Sequence, residues 1–270
     1  GEELWKGAVD DVAAGYAEGP FYSEQAVSRM VGCSTWVTTP RHAIVQKNKV
    51  RAIDDSSSRG SGVNDTNVVT EKLQLPTTDN NVALIKALGD SLPGVPLAGW
   101  VLDEKSAYRQ VPIAASQRRF AVISMMHPRA RRQAFFVMTG HAFGLISAVY
   151  TYNRRSAILN DWLHALGVCS AAYYDDKFGF TRADLVDLDL RLVETLHRVL
   201  GIRFSADKLQ EGRTITILRV AYDFEARALR VTQARRDDFL AELAQLSNGA
   251  ELTAGHAAKL KGKLQFIAGL

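Results

Sequence analysis

Two adjacent aspartates inside a short apolar run are the residues of this chain best suited to chemistry. Asp175 and Asp176 interrupt the segment 171–180, which reads AAYYDDKFGF. The aromatic residues favour β-strands and the aspartates favour a turn, so the segment predicts a tight β-hairpin with carboxylates at its tip. Two carboxylates held this close repel each other, which raises the pKa of each unless a cation neutralises them. The pair therefore predicts a site for a hard divalent cation, and a turn that merely tolerates aspartate is the alternative.

A third carboxylate follows a second apolar run. The segment 97–103, LAGWVLD, indicates a buried strand that ends at Asp103. If this strand lies beside the hairpin, the carboxylate of Asp103 converges with those of Asp175 and Asp176. Two metal ions held ~3.5–4 Å apart by such a cluster can clamp the attacking and leaving oxygens of phosphoryl transfer. The three aspartates are thus a candidate centre for that reaction.

The elements that must position these carboxylates are short strands and amphipathic helices. Apolar runs predict further strands over 43–45, 50–53, 120–124, 134–138, 214–222 and 228–232. Apolar residues at helical spacing predict helices over 79–90, 145–166, 183–200, 233–247 and 253–268. The helix over 183–200 is expected to bury Leu185, Leu188, Leu192, Leu196, Val199 and Leu200. This order predicts an α+β fold with helices on one face of an antiparallel sheet.

The composition indicates a globular protein. The chain has 270 residues, 47% of them hydrophobic, which is enough for a sizeable core. No run approaches the ~20 apolar residues that a membrane helix needs. The first residues, GEELW, lack the basic and apolar regions of a secretory signal. With Cys33 and Cys169 as the 2 cysteines, we expect a reduced intracellular protein, cytoplasmic or nuclear and not secreted.

Basic residues are concentrated in two places, although the formal net charge is only +4. The first cluster consists of Arg118, Arg119, His127, Arg129, Arg131 and Arg132. The second consists of Lys259, Lys261 and Lys263. Phosphate binding depends on such local density of positive charge, so both clusters are candidate nucleic-acid contacts. A solvated basic surface is the alternative interpretation.

The aspartates belong to an ordered series of motifs that resembles the reverse transcriptases. The chain reads KVRAIDD at 49–55, GVND at 62–65, VLDEKSAYRQVP at 101–112, FGLISA at 143–148, YYDD at 173–176 and KGKLQF at 261–266. These segments are similar to the fingers signature, the first palm motif, the start of the palm helix, the YxDD box and the thumb helix of that family. Lys208 fits its later palm lysine. The closest likeness is to enzymes of DIRS-type retrotransposons and of related algal and protist elements.

The resemblance implies a right-hand polymerase with fingers, a palm of antiparallel sheet backed by helices, and a helical thumb. The fingers would comprise residues 1–96 and 113–140. The palm would comprise 97–112 and 141–232, the latter with the primer-grip hairpin. Residues 233–270 would be part of the thumb. We expect the chain to be one domain of a longer protein.

The implied activity is RNA-directed DNA synthesis from dNTPs, with a DNA primer and an RNA or DNA template. Asp103 and Asp175 would bind two Mg²⁺ ions, which Mn²⁺ could replace, and Asp176 would add a carboxylate to the cluster. Lys208 would protonate the leaving pyrophosphate as a general acid. Further implied contacts with nucleic acid are Tyr173, Lys259, Lys261 and Lys263. An RNA-dependent RNA polymerase is one alternative, and a decayed remnant that only binds nucleic acid is another.

The resemblance also implies a nucleotide site. Tyr108 stands after Asp103 where the family places an aromatic side chain that excludes a 2′-hydroxyl and so selects dNTPs. Arg51 and Lys49 would grip the triphosphate, since a guanidinium fork suits phosphate oxygens. Phe143 and Gly144 would contact the nucleotide and template. For each of these residues an ordinary structural role is the alternative.

Some residues depart from the family pattern near the site. Glu104 replaces the usual apolar residue after Asp103 and is expected to add charge near the metals. Arg219-Val220 stands where the primer-gripping hairpin has an apolar residue and a glycine, which puts primer placement in question. Asp54 and Asp55 resemble a second metal pair, but the family pattern places them in the fingers, away from the ions.

Overall fold

The computed structural model describes residues 1–46, 49–58, 62–247 and 251–268. The chain divides into two compact units, each discontinuous in sequence. The first consists of Gly1–Gln74 and Ser106–Ile158, and the second of Leu75–Lys105 and Leu159–Leu270. The boundaries expected for fingers, palm and thumb stay a prediction.

From residue 38 onward the elements broadly follow the predicted order, whereas residues 2–31 form two helices and a strand that were not predicted. The strands are β1 (Ala17–Phe21), β2 (Thr38–Gln46), β3 (Lys49–Asp54), β4 (Leu97–Asp103), β5 (Val122–Met126), β6 (Gln133–Met138), β7 (Ser170–Tyr173), β8 (Asp176–Arg182), β9 (Gln210–Gly212), β10 (Thr214–Ile217), β11 (Val220–Asp223) and β12 (Ala228–Val231). The α-helices are α1 (Glu2–Ala13), α2 (Glu24–Val31), α3 (Thr78–Ser91), α4 (Ile146–Ala165), α5 (Val186–Val199), α6 (Gln233–Ser247) and α7 (Ala254–Ala268). The predicted α+β class is confirmed. Within the described ranges, no helix has both the length and the apolar character needed to cross a membrane.

The first unit is built on a five-stranded sheet in the order β1-β6-β5-β2-β3. Neighbouring strands are antiparallel except β2 and β5, which are parallel. The unbroken apolar run of β6 reflects burial of both its faces. Phe136 and Met138 pack in one core with α1, whereas Phe135 and Val137 pack in another with α2.

The second unit contains a four-stranded sheet in the order β7-β8-β4-β9 and a three-stranded sheet in the order β10-β11-β12. Trp100 and Leu102 of β4 share a core with α5, and Val101 points to the opposite face, where it packs with Phe178 of β8 and with the three-stranded sheet. Because successive side chains of a strand alternate between faces, this burial fixes the pairing register of β4 and β8. Their last aligned pair is Asp103 with Asp176.

Gly179 in the middle of β8 is required by the ring of Trp100, its cross-strand partner. A Cβ added at Gly179 would lie 2.3 Å from Cζ2 of Trp100 and 2.8 Å from the carbonyl oxygen of Cys169. Trp100 is fully buried, so the ring has no room to move away. The glycine thus allows a large aromatic side chain to lie flat against the neighbouring strand.

The segment predicted as one strand over 214–222 is a hairpin. β10 ends at Ile217 and β11 begins at Val220, and the turn residues Leu218 and Arg219 have φ values of 50° and 67°. Consecutive positive φ values are typical of tight hairpin turns, which usually carry Asn, Asp or Gly. None of these residues marks the turn here, which is why the prediction of a single strand is wrong.

The predicted buried face of α5 is wrong in part. Leu188, Val199 and Leu200 are exposed, while Leu192 and Leu196 are only partly buried. The buried residues of the helix are Val186, Asp189, Leu190, Val193 and His197. These residues have the expected helical spacing, but two of them are polar. A prediction from apolar residues alone therefore placed the buried face too far around the helix.

Candidate active site

The three carboxylates lie at one end of the four-stranded sheet. Asp103 is the last residue of β4 and Asp176 the first of β8, and the two are direct cross-strand partners. Tyr174 and Asp175 form the two-residue turn between β7 and β8. The backbone N–H of Glu104 donates to the carbonyl of Asp175 at 3.0 Å, which ties the turn to β4. The predicted hairpin tip and its position beside the strand that ends at Asp103 are confirmed.

Negative charge is crowded at this end of the sheet. Burial, and then the neighbouring charges of Asp175 and Asp103, raise the pKa of Asp176 from an ordinary 3.8 to about 6. The ammonium groups of Lys208 and Lys177 oppose this shift without cancelling it. The cluster therefore holds more negative charge than the nearby lysines balance.

Lys208 lies among the carboxylates. It ends the short 3₁₀ helix Ala206–Lys208 that follows α5, and its Nζ donates to Oδ2 of Asp103 at 2.8 Å. The same oxygen accepts a hydrogen bond from Oγ of Ser205 at 3.1 Å. The hydrogen bond to Asp103 raises the pKa of Lys208, and the other two aspartates add to this effect. Lys208 is therefore a protonated ammonium group at neutral pH.

The donor atoms suit a hard divalent cation in their chemistry. Carboxylate oxygens are the ligands such ions prefer, and burial together with the neighbouring aspartate charges raises the pKa of Asp176. In the part of the chain that the structure describes, however, no three His, Cys, Asp or Glu side chains are gathered closely enough to hold a metal ion. The ammonium of Lys208 instead forms an ion pair with Oδ2 of Asp103. Asp103, Asp175 and Asp176 would hold the ions, and the two-ion centre stays a prediction.

The carboxylates open into a cavity of about 710 Å³ whose other wall is basic. The lining includes Asp103, Asp176, Lys208, Gln210, Arg219 and Arg235. Arg219 comes from the turn between β10 and β11, and Arg235 from the first turn of α6. Burial and the like charge of Arg219 lower the pKa of Arg235. Two guanidinium groups close enough to repel each other favour a nearby anion, and the carboxylate of Asp238 lies 3.7 Å from Nη1 of Arg219.

Sequence reasoning missed Arg235 altogether and treated Arg219 only as a departure from the family pattern. The guanidinium of Arg235 stacks on the ring of Phe266, with Cζ 3.7 Å from the ring centroid, and one of its nitrogens lies 3.5 Å from the carbonyl of Leu218. The first contact holds α6 against α7, and the second holds it against the hairpin turn. No local sequence signal distinguishes Arg235 from the adjacent Arg236, because its role depends on this tertiary packing.

The three C-terminal lysines do not share one environment. Lys259 and Lys261 are exposed on α7. Lys263 forms an ion pair with Glu242 of α6, and hydrogen bonds from Lys263 and His256 lower the pKa of Glu242. Lys263 also lines a smaller depression of about 220 Å³ together with Arg219 and Arg235. The two exposed lysines are thus open to a polyanion, while Lys263 joins the two helices.

In the first unit, the structure brings Tyr108 and Phe143 together. Their rings meet edge to face with centroids 5.4 Å apart, and Tyr108 meets Tyr152 in the same way at 5.1 Å. The guanidinium carbon of Arg109 lies 5.2 Å from the centroid of Phe143. The proposed sugar gate is therefore held by aromatic packing on two sides.

The backbone at position 144 requires a glycine for structural reasons. Its φ is 103°, and an added Cβ would lie 2.1 Å from the carbonyl oxygen of Asp54. The carboxylate of Asp54 is buried between two arginines, 2.6 Å from Nε of Arg41 and 3.1 Å from Nη2 of Arg109. Glycine is needed here because the chain passes close to the backbone of a buried ion-pair network. Asp54 has its oxygens engaged by these arginines.

The remaining predicted contacts have less distinctive surroundings. Arg51 is exposed on β3. Lys49 begins the same strand, and its side chain lies outside the described residues. Tyr173, the last residue of β7, is half-buried and its ring is nearly perpendicular to that of Tyr174, with centroids 5.1 Å apart. Nothing in these surroundings tests the roles that the resemblance implied.

The expectation that Glu104 adds charge near the carboxylates is wrong. Its side chain is fully buried, and its Oε1 lies 3.3 Å from Nζ of Lys177, which is also buried. Side chains alternate along a strand, so Glu104 leaves the sheet on the face opposite to Asp103. The buried ammonium of Lys177 balances its charge.

Comparison with known proteins relates this chain to solved structures only. No protein-family model matches the sequence, and no curated protein matches it. A foamy viral protease-reverse transcriptase bound to double-stranded DNA matches with a TM-score of 0.60 and 13% identity. The fold is reverse transcriptase-like. The same viral enzyme in complex with an RNA/DNA hybrid matches with a TM-score of 0.56 and 14% identity.

These likenesses cover most of this chain and a minority of the viral one. In both cases they include 85% of the present chain, but only 36% and 27% of the viral chains. At 13% to 14% identity they establish the fold and leave the activity to be argued from the site. The particular likeness to DIRS-type enzymes stays a prediction.

Proposed function

We propose that this protein is a template-directed DNA polymerase, and specifically an RNA-directed DNA polymerase of a retroelement. The observation that carries the proposal is the alignment of Asp103 and Asp176 as cross-strand partners, beside Asp175, at the mouth of a cavity with a basic wall. A carboxylate cluster facing guanidinium groups suits a reaction in which metal ions and phosphates meet. The reverse transcriptase-like fold supports the same conclusion.

The proposed cofactor is a pair of Mg²⁺ ions, with Mn²⁺ as a substitute. Asp103 and Asp175 hold the ions in this proposal, and Asp176 completes the cluster. When bound, such ions activate the attacking hydroxyl and neutralise charge on the phosphates. Burial, and then the charges of Asp175 and Asp103, raise the pKa of Asp176, and a divalent cation among these carboxylates would offset both effects.

Lys208 is proposed to supply the proton that the leaving pyrophosphate takes up. Its raised pKa keeps the ammonium charged at neutral pH, so the proton is present when the reaction begins. Its side chain is 56% exposed and tethered only through Asp103 and nearby charges, which leaves it free to turn toward an incoming phosphate.

Arg219 and Arg235 are proposed to bind the phosphates of the primer strand. They line the same cavity as Asp103 and Asp176, and their mutual repulsion is relieved when an anion lies between them. Arg219 stands where an apolar-glycine pair was expected. In this proposal the primer is therefore held by a charged side chain at this point, and not by a backbone that approaches it closely. We assign Lys259 and Lys261, together with Tyr173, to contacts with the nucleic acid away from the reacting atoms.

The nucleotide site is assigned to residues of the first unit. Tyr108 is the proposed sugar gate, because a ring held by aromatic neighbours on two sides cannot move aside for a 2′-hydroxyl. Arg51 and Lys49 are assigned to the triphosphate. Phe143 and Gly144 are assigned to the nucleotide and template.

Primer extension tests the proposal directly. A DNA primer annealed to an RNA template is incubated with dNTPs and Mg²⁺, and the same primer on a DNA template measures template preference. The wild-type protein is expected to extend the primer, whereas the Asp103→Asn and Asp175→Asn variants lose at least ~10³-fold in rate because the cluster loses a metal ligand. Full activity in either variant would contradict the proposal.

Two other outcomes identify the alternatives. Extension with rNTPs as efficient as with dNTPs would indicate an RNA-dependent RNA polymerase. Salt-dependent binding to primer–template without incorporation, in both Mg²⁺ and Mn²⁺, would indicate a nucleic-acid-binding remnant.

A further inference from the structure

A buried ion pair lies directly behind the carboxylates. Glu104 directly follows the end of β4, where the extended chain continues in a bridge to Phe204, and Lys177 follows Asp176 along β8, so both leave the sheet on the face opposite to the aspartates. The Glu104 side chain is 0% exposed and the Lys177 side chain 3%, with 3.3 Å between Oε1 and Nζ. Each member of the pair is therefore the immediate chain neighbour of a carboxylate in the cluster.

Both residues are also bonded to the turn that carries Asp175. Nζ of Lys177 donates a hydrogen bond to the carbonyl of Tyr174 at 3.2 Å. The backbone N–H of Glu104 donates to the carbonyl of Asp175 at 3.0 Å. Tyr174 has a φ of 52°, a left-handed conformation that is unfavourable for an aromatic residue. The turn is thus held in a strained conformation by contacts from these two residues.

Stability alone gives little reason to bury such a pair. Removing two charges from water costs about as much as their attraction returns, and a well-packed apolar pair is often equally stable. Charged groups do supply what an apolar pair cannot, namely a directed hydrogen bond from an ammonium to the turn carbonyl. The location of the pair beside the turn therefore indicates a role other than a contribution to stability.

We propose that Glu104 and Lys177 are positioning residues for the catalytic turn. Glu104 fixes the ammonium of Lys177, and Lys177 fixes the carbonyl of Tyr174, so that Asp175 is presented beside Asp103 and Asp176. This inference rests on the proposed polymerase function for its kinetic consequence, but its structural part is independent of it.

The decisive variant replaces both charges with apolar side chains. Glu104→Leu/Lys177→Leu removes the hydrogen bond to the turn together with both charges of the buried pair, so it is expected to melt within a few degrees of the wild type. Lys177→Met removes the ammonium alone and breaks the buried ion pair from one side, so it is expected to be less stable than the double variant. Arg213→Met, which removes an exposed ion pair with Glu225 in the same unit, is the matched control.

Amide hydrogen exchange reports the position of the turn without requiring any activity. The Glu104 amide, which donates to Asp175, is expected to exchange about tenfold faster in the apolar double variant than in the wild type. The amide of Trp100, in the middle of β4 and paired on both sides, is the internal reference and is expected to be unchanged. Unchanged protection at Glu104 in a folded double variant would overturn the proposal.

Kinetics separate positioning from folding. We expect kcat for primer extension to fall about tenfold in the double variant, with KM for dNTP within twofold, while Arg213→Met retains both values. Glu104→Gln keeps an acceptor for Lys177, so its kcat is expected to lie between that of the double variant and that of the wild type. A double variant with wild-type kcat would overturn the positioning role. If the wild-type protein shows no extension, the proposed function is overturned instead. The exchange rate of the Glu104 amide then tests whether Glu104 and Lys177 position the turn.

Discussion

Asp103 and Asp176 face each other across β4 and β8, and the Nζ of Lys208 lies 2.8 Å from Oδ2 of Asp103. The pairing places two carboxylates closer together than their charges favour, and the charges of Lys208 and Lys177 do not cancel the rise in the pKa of Asp176. The folded protein therefore carries an electrostatic cost at this position. A divalent cation, a proton or a substitution that removes one charge would each relieve it.

The raised pKa of Asp176 predicts a pH-dependent gain in stability for Asp176→Asn. The pKa is about 6 in the folded protein against an ordinary 3.8, so the folded wild type binds the proton more tightly than the unfolded chain. The wild type thus loses stability as the pH rises from about 4 to about 6, and the loss is complete above that range. The variant has no group to titrate there and escapes this loss.

A shift of this size corresponds to ~3 kcal/mol, and partial exposure of Asp176 to water reduces the expected gain to about 1 kcal/mol. Urea unfolding of both proteins without divalent cations at pH 4, 6 and 8 measures it. The variant should exceed the wild type at pH 8 and match it at pH 4. Equal stability at all three values would show that the charges do not repel as inferred.

Tyr108→Val is predicted to weaken selection against ribonucleotides. Without the ring, the 2′-hydroxyl no longer meets a side chain, and discrimination between dNTP and rNTP should fall by about 10- to 100-fold. The comparison of kcat/KM for the two nucleotides on one template measures the change. Tyr108→Phe keeps the ring and its packing against Tyr152 and should retain the wild-type ratio.

Neutralising Arg219 and Arg235 is predicted to weaken primer–template binding in a salt-dependent manner. Each phosphate contact that is lost should reduce the slope of log K against log salt by about 1. Fluorescence anisotropy at several salt concentrations measures this slope for Arg219→Gln and Arg235→Gln. Arg213→Gln removes the same charge from an exposed position outside the cavity and is expected to leave the slope unchanged.

Gly179→Ala is predicted to destabilise the second unit. The added methyl would lie 2.3 Å from the buried ring of Trp100, and overpacking of this kind costs about 1–3 kcal/mol. Gly255→Ala in α7 is the control, because an added Cβ there meets nothing within 4 Å and the higher helix propensity of alanine is expected to raise stability by up to about 1 kcal/mol. Denaturant unfolding of the two variants should therefore differ clearly, and equal midpoints would mean that Trp100 can move.

The cross-strand carboxylates could be predicted because each signal that locates them lies in the sequence immediately around them. Apolar runs mark both strands, and the tandem aspartates mark the turn between β7 and β8. The position of Glu104 could also have been derived, since a residue next to Asp103 on a strand must point to the other face. The expectation of extra charge near the metals considered only distance along the chain.

The basic wall of the cavity could not be predicted in this way. Arg219 lies in a turn without Gly, Asn or Asp, and Arg235 is brought to it by the packing of α6. The buried face of α5 was obscured for a similar reason, because Asp189 and His197 are polar but lie inside. In each case the deciding interaction is tertiary and leaves no mark in the local pattern.

The two-residue turn between β7 and β8 also limits how the chain can change in length. Inserting or deleting one residue there, with the turn kept at two residues, would shift β8 by one position against β4 and exchange its two faces. Lys177 could then stand opposite Asp103 where Asp176 is now, and an aspartate would enter the apolar core. Related chains can therefore be expected to differ in which residue occupies position 174, but to keep the same number of residues in the hairpin.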